Sequence, residues 1–171
     1  CITCIQGQYQ DQDDQSSCKD DCNAGSYINS DKTDCITCIQ GQYQDQDDQS
    51  SCKDDCTAGF YINSNNTDCV TCIQGQYQDQ NNQPSCKDDC TAGFYINSNK
   101  TACLECRIGQ YTATEGRSSC LDCKVGYYAE RKASAKCTAC AAKTYASKTG
   151  SFNSSDCTQC PPTGQCENGQ C

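Results

Sequence analysis

Residues 4–18 read CIQGQYQDQDDQSSC, and the reading of this stretch decides the fold. Two cysteines enclose 13 residues, with Gly7 three positions and Tyr9 five positions after the first. Glycine there supplies a positive-φ or tight-turn conformation that a side chain would oppose. Tyrosine offers the one large apolar surface, expected to lie over the nearest disulfide with its hydroxyl in water. The run Asp11-Gln12-Asp13-Asp14 has turn chemistry and belongs at an exposed tip. No helical periodicity is present, so the stretch predicts a small two-stranded loop closed by its cysteines.

The pattern recurs along the whole chain. Modules open at Cys4, Cys22, Cys38, Cys56, Cys72, Cys90, Cys106, Cys123 and Cys140, each with tyrosine five positions on. Glycine stands three positions on in every module except the last, which has Lys143. A further opening, Cys160, runs into Pro161-Pro162-Thr163-Gly164 with no tyrosine. Modules pair into larger copies: residues 1–34 recur at 35–68 and 69–102, and the first two copies differ only at Asn23/Thr57, Ser26/Phe60, Asp31/Asn65 and Lys32/Asn66. Repetition at such a period marks a repeat architecture. The organisation read from it is three two-module units (1–34, 35–68, 69–102), diverged modules over 103–159, and the start of a further or terminal cysteine-rich module at 160–171.

Composition says what holds such modules together. Of 171 residues 22 are cysteine, whereas Leu, Ile, Val and Phe together number 16, with no Trp or Met. That apolar surface cannot offset a chain entropy of ~1–2 kcal/mol per residue. Closing a loop of about 15 residues contributes ~3 kcal/mol. Cross-links thus replace the core, and they persist only in an oxidising compartment, which places the chain outside the cell or on its surface. The net charge of −9, with lysines and arginines in no basic stripe, argues against nucleic acid. No apolar run spans a membrane and no signal peptide precedes Cys1, so the sequence is expected to be a mature or internal segment of a longer protein.

The simplest connectivity treats every module alike: Cys4–Cys18, Cys22–Cys35, Cys38–Cys52, Cys56–Cys69, Cys72–Cys86, Cys90–Cys103, Cys106–Cys120, Cys123–Cys137 and Cys140–Cys157. Spacing alone leaves other connectivities open. Cys1, Cys160, Cys166 and Cys171 are left without assigned partners. The predicted fold class is small and disulfide-rich: an elongated, solenoid-like rod of tandem single-disulfide modules, with short β-hairpins and little other regular structure.

These residues carry a resemblance. Cys-x2-Gly-x-Tyr-x8-Cys, as in residues 4–18, resembles the single-disulfide module of tumour-necrosis-factor-receptor cysteine-rich domains. Its tandem use with Cys-x2-Cys junctions is similar to the ephrin-receptor-like cysteine-rich repeats. Near-identical arrays rich in Asn, Gln and Asp resemble surface antigens and extracellular fibre proteins of single-celled eukaryotes. Those families commonly place proline after the module's first cysteine, where this chain has Ile5, Asn23, Thr57, Arg107 and Lys124. The resemblance implies an extended extracellular rod and names no ligand.

Four kinds of site come into question. Cys1, Cys4, Cys18 and Cys22 have the spacing of a four-thiolate zinc site, but such a site would not require the Gly-x-Tyr ladder. Asp11, Asp13 and Asp14 with Asp20 and Asp21, copied as Asp45, Asp47, Asp48, Asp54 and Asp55, invite calcium, yet the Asp-x-Asp-x-Asp-Gly register is missing and a solvated acidic face is the simpler reading. Sequons at Asn65, Asn99 and Asn153 lie in expected tips, and N-glycosylation is expected at all three. Histidine is absent, and no nucleophile has a base at readable spacing, so neither catalysis nor a cofactor is expected.

Repetition without a singular site favours a structural role: a glycosylated extracellular rod or filament in a coat, appendage or fibril, self-associating or packing against neighbouring copies. The alternative is the ectodomain stalk of a receptor-like or adhesive cell-surface protein.

Overall fold

In the module that opens at Cys22, β1 (Ser26–Ile28) pairs antiparallel with β2 (Cys35–Thr37), setting Tyr27 opposite Ile36 and Ile28 opposite Cys35. Aromatic and β-branched residues favour the pleated conformation. Gly25, with φ of +89°, turns the chain into the first strand. At the tip, the Asn29 side chain accepts from the N–H groups of Thr33 and Asp34 and closes the turn. The closing cysteine opens the return strand, so hairpin and disulfide brace the same loop.

This is a computed structural model that describes residues 3–19 and 22–160. Among them, five further hairpins follow the same plan: β3 (Phe60–Ile62) with β4 (Cys69–Thr71), β5 (Phe94–Ile96) with β6 (Cys103–Glu105), β7 (Gln110–Tyr111) with β8 (Leu121–Asp122), β9 (Tyr127–Tyr128) with β10 (Thr138–Ala139), and β11 (Thr144–Ala146) with β12 (Cys157–Gln159). The modules at Cys4 and Cys38 reduce the pairing to single bridges, Tyr9–Lys19 and Tyr43–Lys53. A single 3₁₀ turn, Ser154–Asp156, interrupts the longer loop of the Cys140 module among the described residues.

Nine disulfides close the described modules: Cys4–Cys18, Cys22–Cys35, Cys38–Cys52, Cys56–Cys69, Cys72–Cys86, Cys90–Cys103, Cys106–Cys120, Cys123–Cys137 and Cys140–Cys157. The chain forms two compact units, Cys1–Cys72 with Gln78–Lys87, and Ile73–Tyr77 with Asp88–Cys171. The first contains β1–β4 and the second β5–β12.

Within each unit, successive modules are joined by the same backbone bonds. The Gly25 N–H donates to Gln44 O at 2.7 Å in the first unit, and the Gly93 N–H to Thr112 O at 3.0 Å in the second. Loop tips seat on the opening cysteine of the preceding module: the Asp48 N–H donates to Cys22 O at 2.8 Å, and the Gly150 N–H to Cys123 O at 2.7 Å. Each such bond contributes about 1 kcal/mol, and their recurrence, with the disulfides, does the work that a core does elsewhere.

Burial corrects one expectation. Apart from the cysteines, the most deeply covered side chain is generally not the tyrosine but the residue after it: Ile28, Ile62 and Ile96 alternate with Gln44 and Gln78, and Thr112, Ala129 and Ala146 follow in the diverged modules. Tyr43 is itself buried, but against Ile62, Cys56 and Cys69, the disulfide of the next module rather than its own. Its hydroxyl is not left to water; it donates to Asp55 at 2.9 Å.

Candidate functional site

The surfaces that this frame leaves for function are the module tips. Ten residues after each opening cysteine the chain takes a positive φ: Asp14, Lys32, Asp48, Asn66, Asn82, Lys100, Gly116, Ala133 and Gly150 all lie between +53° and +73°. Asp, Asn and Gly tolerate that region best. This second left-handed position folds the tip back towards the preceding module. In the first copies its side chain also helps to seat it: Lys32 Nζ donates to Cys4 O at 2.7 Å, and Asn66 Nδ2 to Cys38 O at 2.8 Å.

The acidic residues of the tips are largely occupied by the frame. The Cys22 N–H donates to Asp48 Oδ1 at 2.9 Å and the Ala24 N–H to Asp47 Oδ1 at 2.8 Å. In the third copy Asn81 keeps the second of these bonds, accepting from Ala58 N–H at 2.9 Å. Lys19, Lys53 and Lys87 pair with Asp11, Asp45 and Asp79. The hydrogen bond from each lysine holds the carboxyl of Asp11, Asp45 and Asp79 below its usual range, and Lys19 is raised in turn by Asp11. Lys53 also lies over the Tyr43 ring, 5.8 Å from its centre. These groups are exposed, so each pair adds little to stability.

The metal spacings meet other uses. Cys4, Cys18 and Cys22 are joined in disulfides to Cys18, Cys4 and Cys35, and Cys1 lies outside the described residues. Of the acidic set, Asp20 and Asp21 also lie outside the described residues; Asp45 pairs with Lys53, and Asp47 and Asp48 accept backbone N–H groups. No group of three or more ligand-type residues stands together among the described residues. Cys166 and Cys171 lie beyond the described residues too.

All three sequon asparagines are exposed. Asn65 and Asn99 each precede a left-handed tip residue, Asn66 or Lys100. Asn153 caps the 3₁₀ turn, its Oδ1 accepting from Ser155 N–H at 2.9 Å, while the Asp156 carboxylate accepts from Asn153 N–H. The first bond uses the side-chain oxygen and the second the backbone N–H, and neither uses the side-chain nitrogen to which a sugar attaches. Open clefts recur with the repeat: one of about 430 Å³ is lined by Gln6, Gly7, Tyr27, Asn29, Lys32 and Asp48, and one of about 130 Å³ in the other unit by residues including Gln74, Gly75, Asn97, Lys100 and Gly116. Every residue named for the second lies 68 positions after one of the first, so these two clefts belong to the repeat. Among the described residues, no helix is long and apolar enough to cross a membrane.

A family model described as tyrosine-protein kinase ephrin type A/B receptor-like matches residues 93–125 and again residues 119–157. A chain of the solved structure titled "Human RANKL/OPG complex" is similar at 20% identity, over 80% of this chain and 84% of that one, with a TM-score of 0.23. No curated protein sequence matches. From residue 93 to residue 157 the chain is thus similar to the ephrin-receptor-like cysteine-rich repeats, and those repeats, with nine disulfides, point to the cell exterior or the cell surface.

Proposed function

We propose that this chain is a segment of the ectodomain of a receptor-like or adhesive cell-surface protein, without catalytic activity and N-glycosylated at Asn65, Asn99 and Asn153. The observation that carries the reading is the double match to the ephrin-receptor-like model over the diverged modules. Those modules differ from one another, and a partner-specific surface needs such differences; the near-identical modules before them then act as a spacer. Exposure of all three sequon asparagines supports the glycosylation. A non-enzymatic display role also suits the two clefts that recur with the repeat and a chain without histidine.

A second reading, a coat or filament subunit, is favoured by one observation: Ile5, Ile39 and Ile73 recur at the same place in the three copies and remain 65–68% exposed. An exposed apolar side chain repeated at the same place in each copy suits lateral packing between copies. Protease shaving of intact cells that make the native protein separates the two. The ectodomain reading expects release of this segment from a remainder that stays with the membrane. Material that sediments as a detergent-resistant polymer of many copies would instead establish the second. Deglycosylation in ¹⁸O-water followed by peptide mass mapping should find label on Asn65, Asn99 and Asn153; unlabelled peptides from all three would remove the glycan proposal.

A further inference from the structure

The two stretches of the chain carry opposite charge. Residues 1–102 hold 5 lysines and no arginine against 16 aspartates, a net −11; residues 103–160 hold 8 lysines and arginines against 5 acidic residues, a net +3. In the first stretch Lys19, Lys53 and Lys87 are neutralised by Asp11, Asp45 and Asp79, while Asp13, Asp31, Asp34 and Asp68 are exposed and outside any ion pair among the described residues. In the second, Arg107, Lys124, Arg131, Lys132 and Lys148 are all exposed, and none takes part in an ion pair among the described residues.

The seating of tips on module starts gathers these cations. The Ala133 N–H donates to Cys106 O at 2.9 Å, bringing the tip with Arg131 and Lys132 to the start that carries Arg107. The Gly150 N–H donates to Cys123 O at 2.7 Å, bringing the tip with Lys148 to the start that carries Lys124. Glu130 and Asp122 stand among them, accepting from Ser154 N–H and the Gln110 side chain and keeping their charge, so five cations face two carboxylates. In the first copies the same seating, Asp48 N–H on Cys22 O, presents Asp47 at the tip instead. Both charge sets therefore sit on one kind of frame, the basic tips in consecutive modules and the acidic tips with Asp13 and Asp47 in alternate ones.

We propose that the basic tips between Cys106 and Gly150 dock on the acidic modules of a second copy of this chain. The occupant follows from charge complementarity: the chain itself supplies an acidic surface, repeated in near-identical copies and carried on the same kind of frame as its own basic tips. Oppositely charged, partly desolvated surfaces associate readily and steer encounter. This inference is independent of the ectodomain reading, since a surface receptor and a coat subunit could both use it.

The test is sedimentation velocity of the full, oxidised chain over a concentration series, at about 0.02 M and about 0.5 M salt, across which the Debye length falls from roughly 20 Å to about 4 Å. The expected result is concentration-dependent association at low salt that weakens by about tenfold or more at high salt. The triple variant Arg131→Glu, Lys132→Glu, Lys148→Glu should remain monomeric at both. The reversed variant Asp13→Lys, Asp34→Lys, Asp68→Lys, mixed with it, should restore a mixed complex although both retain net negative charge. If either variant fails to oxidise correctly, the salt series on the unmodified chain still decides. A chain that stays monomeric at low salt overturns the proposal, as does binding of a sulfated polysaccharide by the basic tips without any self-association.

Discussion

A Cβ atom built on Gly25 would stand 2.6 Å from the main-chain oxygen of Asn65, a residue two modules further along. Glycine there meets two demands at once, a φ of +89° and the close approach of another loop. Gly41 has the same φ, but its Cβ would find Asn82 O at an ordinary 3.5 Å. The two positions therefore separate backbone strain from steric conflict. Gly41→Ala should cost about 1–2 kcal/mol, the price of the backbone conformation alone. Gly25→Ala should cost about 1–3 kcal/mol more, because backbone rather than a flexible side chain must move. Urea unfolding of the oxidised protein, followed by tyrosine fluorescence, measures both; equal losses would mean that the approach of Asn65 is unimportant.

Gln44 is buried and ties its loop together, donating from Nε2 to Ser51 O at 2.6 Å and accepting from Gln46 N–H at 3.2 Å. Gln44→Glu keeps the acceptor and loses the donor, leaving a carboxylate against a carbonyl. The folded-state pKa of the new group is then raised above the ordinary ~4.3. Below that value both states are protonated and the variant should approach the parent. As pH rises the deficit grows, to about 2–3 kcal/mol near neutrality. Denaturation midpoints at pH 4 and pH 7 read the difference; a loss that did not change with pH would contradict the assigned role.

Tyr43 is held neutral by burial, and then by its bond to Asp55, which push its pKa up to about 12. The neutral phenol's stabilising contribution is complete below the ordinary value of about 10 and is lost as pH rises through about 12. A titration at 295 nm should show a late tyrosine component that disappears in Tyr43→Phe. If the component removed by that substitution titrates near pH 10, Tyr43 is not enclosed by the next module.

The hairpin modules were legible because Cys-x2-Gly-x-Tyr places a turn residue, a strand residue and two cross-linkable ends at fixed offsets. The second left-handed position was harder to see. Asp14, Asp48, Asn66, Asn82, Gly116 and Gly150 carry the signal, but Lys32, Lys100 and Ala133 break it; backbone bonds to the neighbouring module hold two of these there, Gln10 N–H on Lys32 O and Ala133 N–H on Cys106 O. The buried residue after the tyrosine was concealed for a related reason: Gln44 and Gln78 look like part of a polar run, and only the carbonyls of Ser51 and Ser85, seven residues away, make them interior groups. The basic tips were hidden by sequence order. Arg107 and Arg131 are distant along the chain, and only the seating of Ala133 on Cys106 brings their loops together.

Closure of each module by its own disulfide underlies the whole architecture, and non-reducing tryptic mapping tests it most directly. Cleavage after Lys19, Lys32 and Lys53 yields peptides 1–19, 20–32 and 33–53, carrying respectively Cys1, Cys4 and Cys18; Cys22; and Cys35, Cys38 and Cys52. The account predicts peptide 20–32 joined to 33–53 through Cys22–Cys35, with Cys4 and Cys18 linked inside peptide 1–19. Peptide 1–19 joined to 20–32 through Cys4 or Cys18 and Cys22 would contradict it.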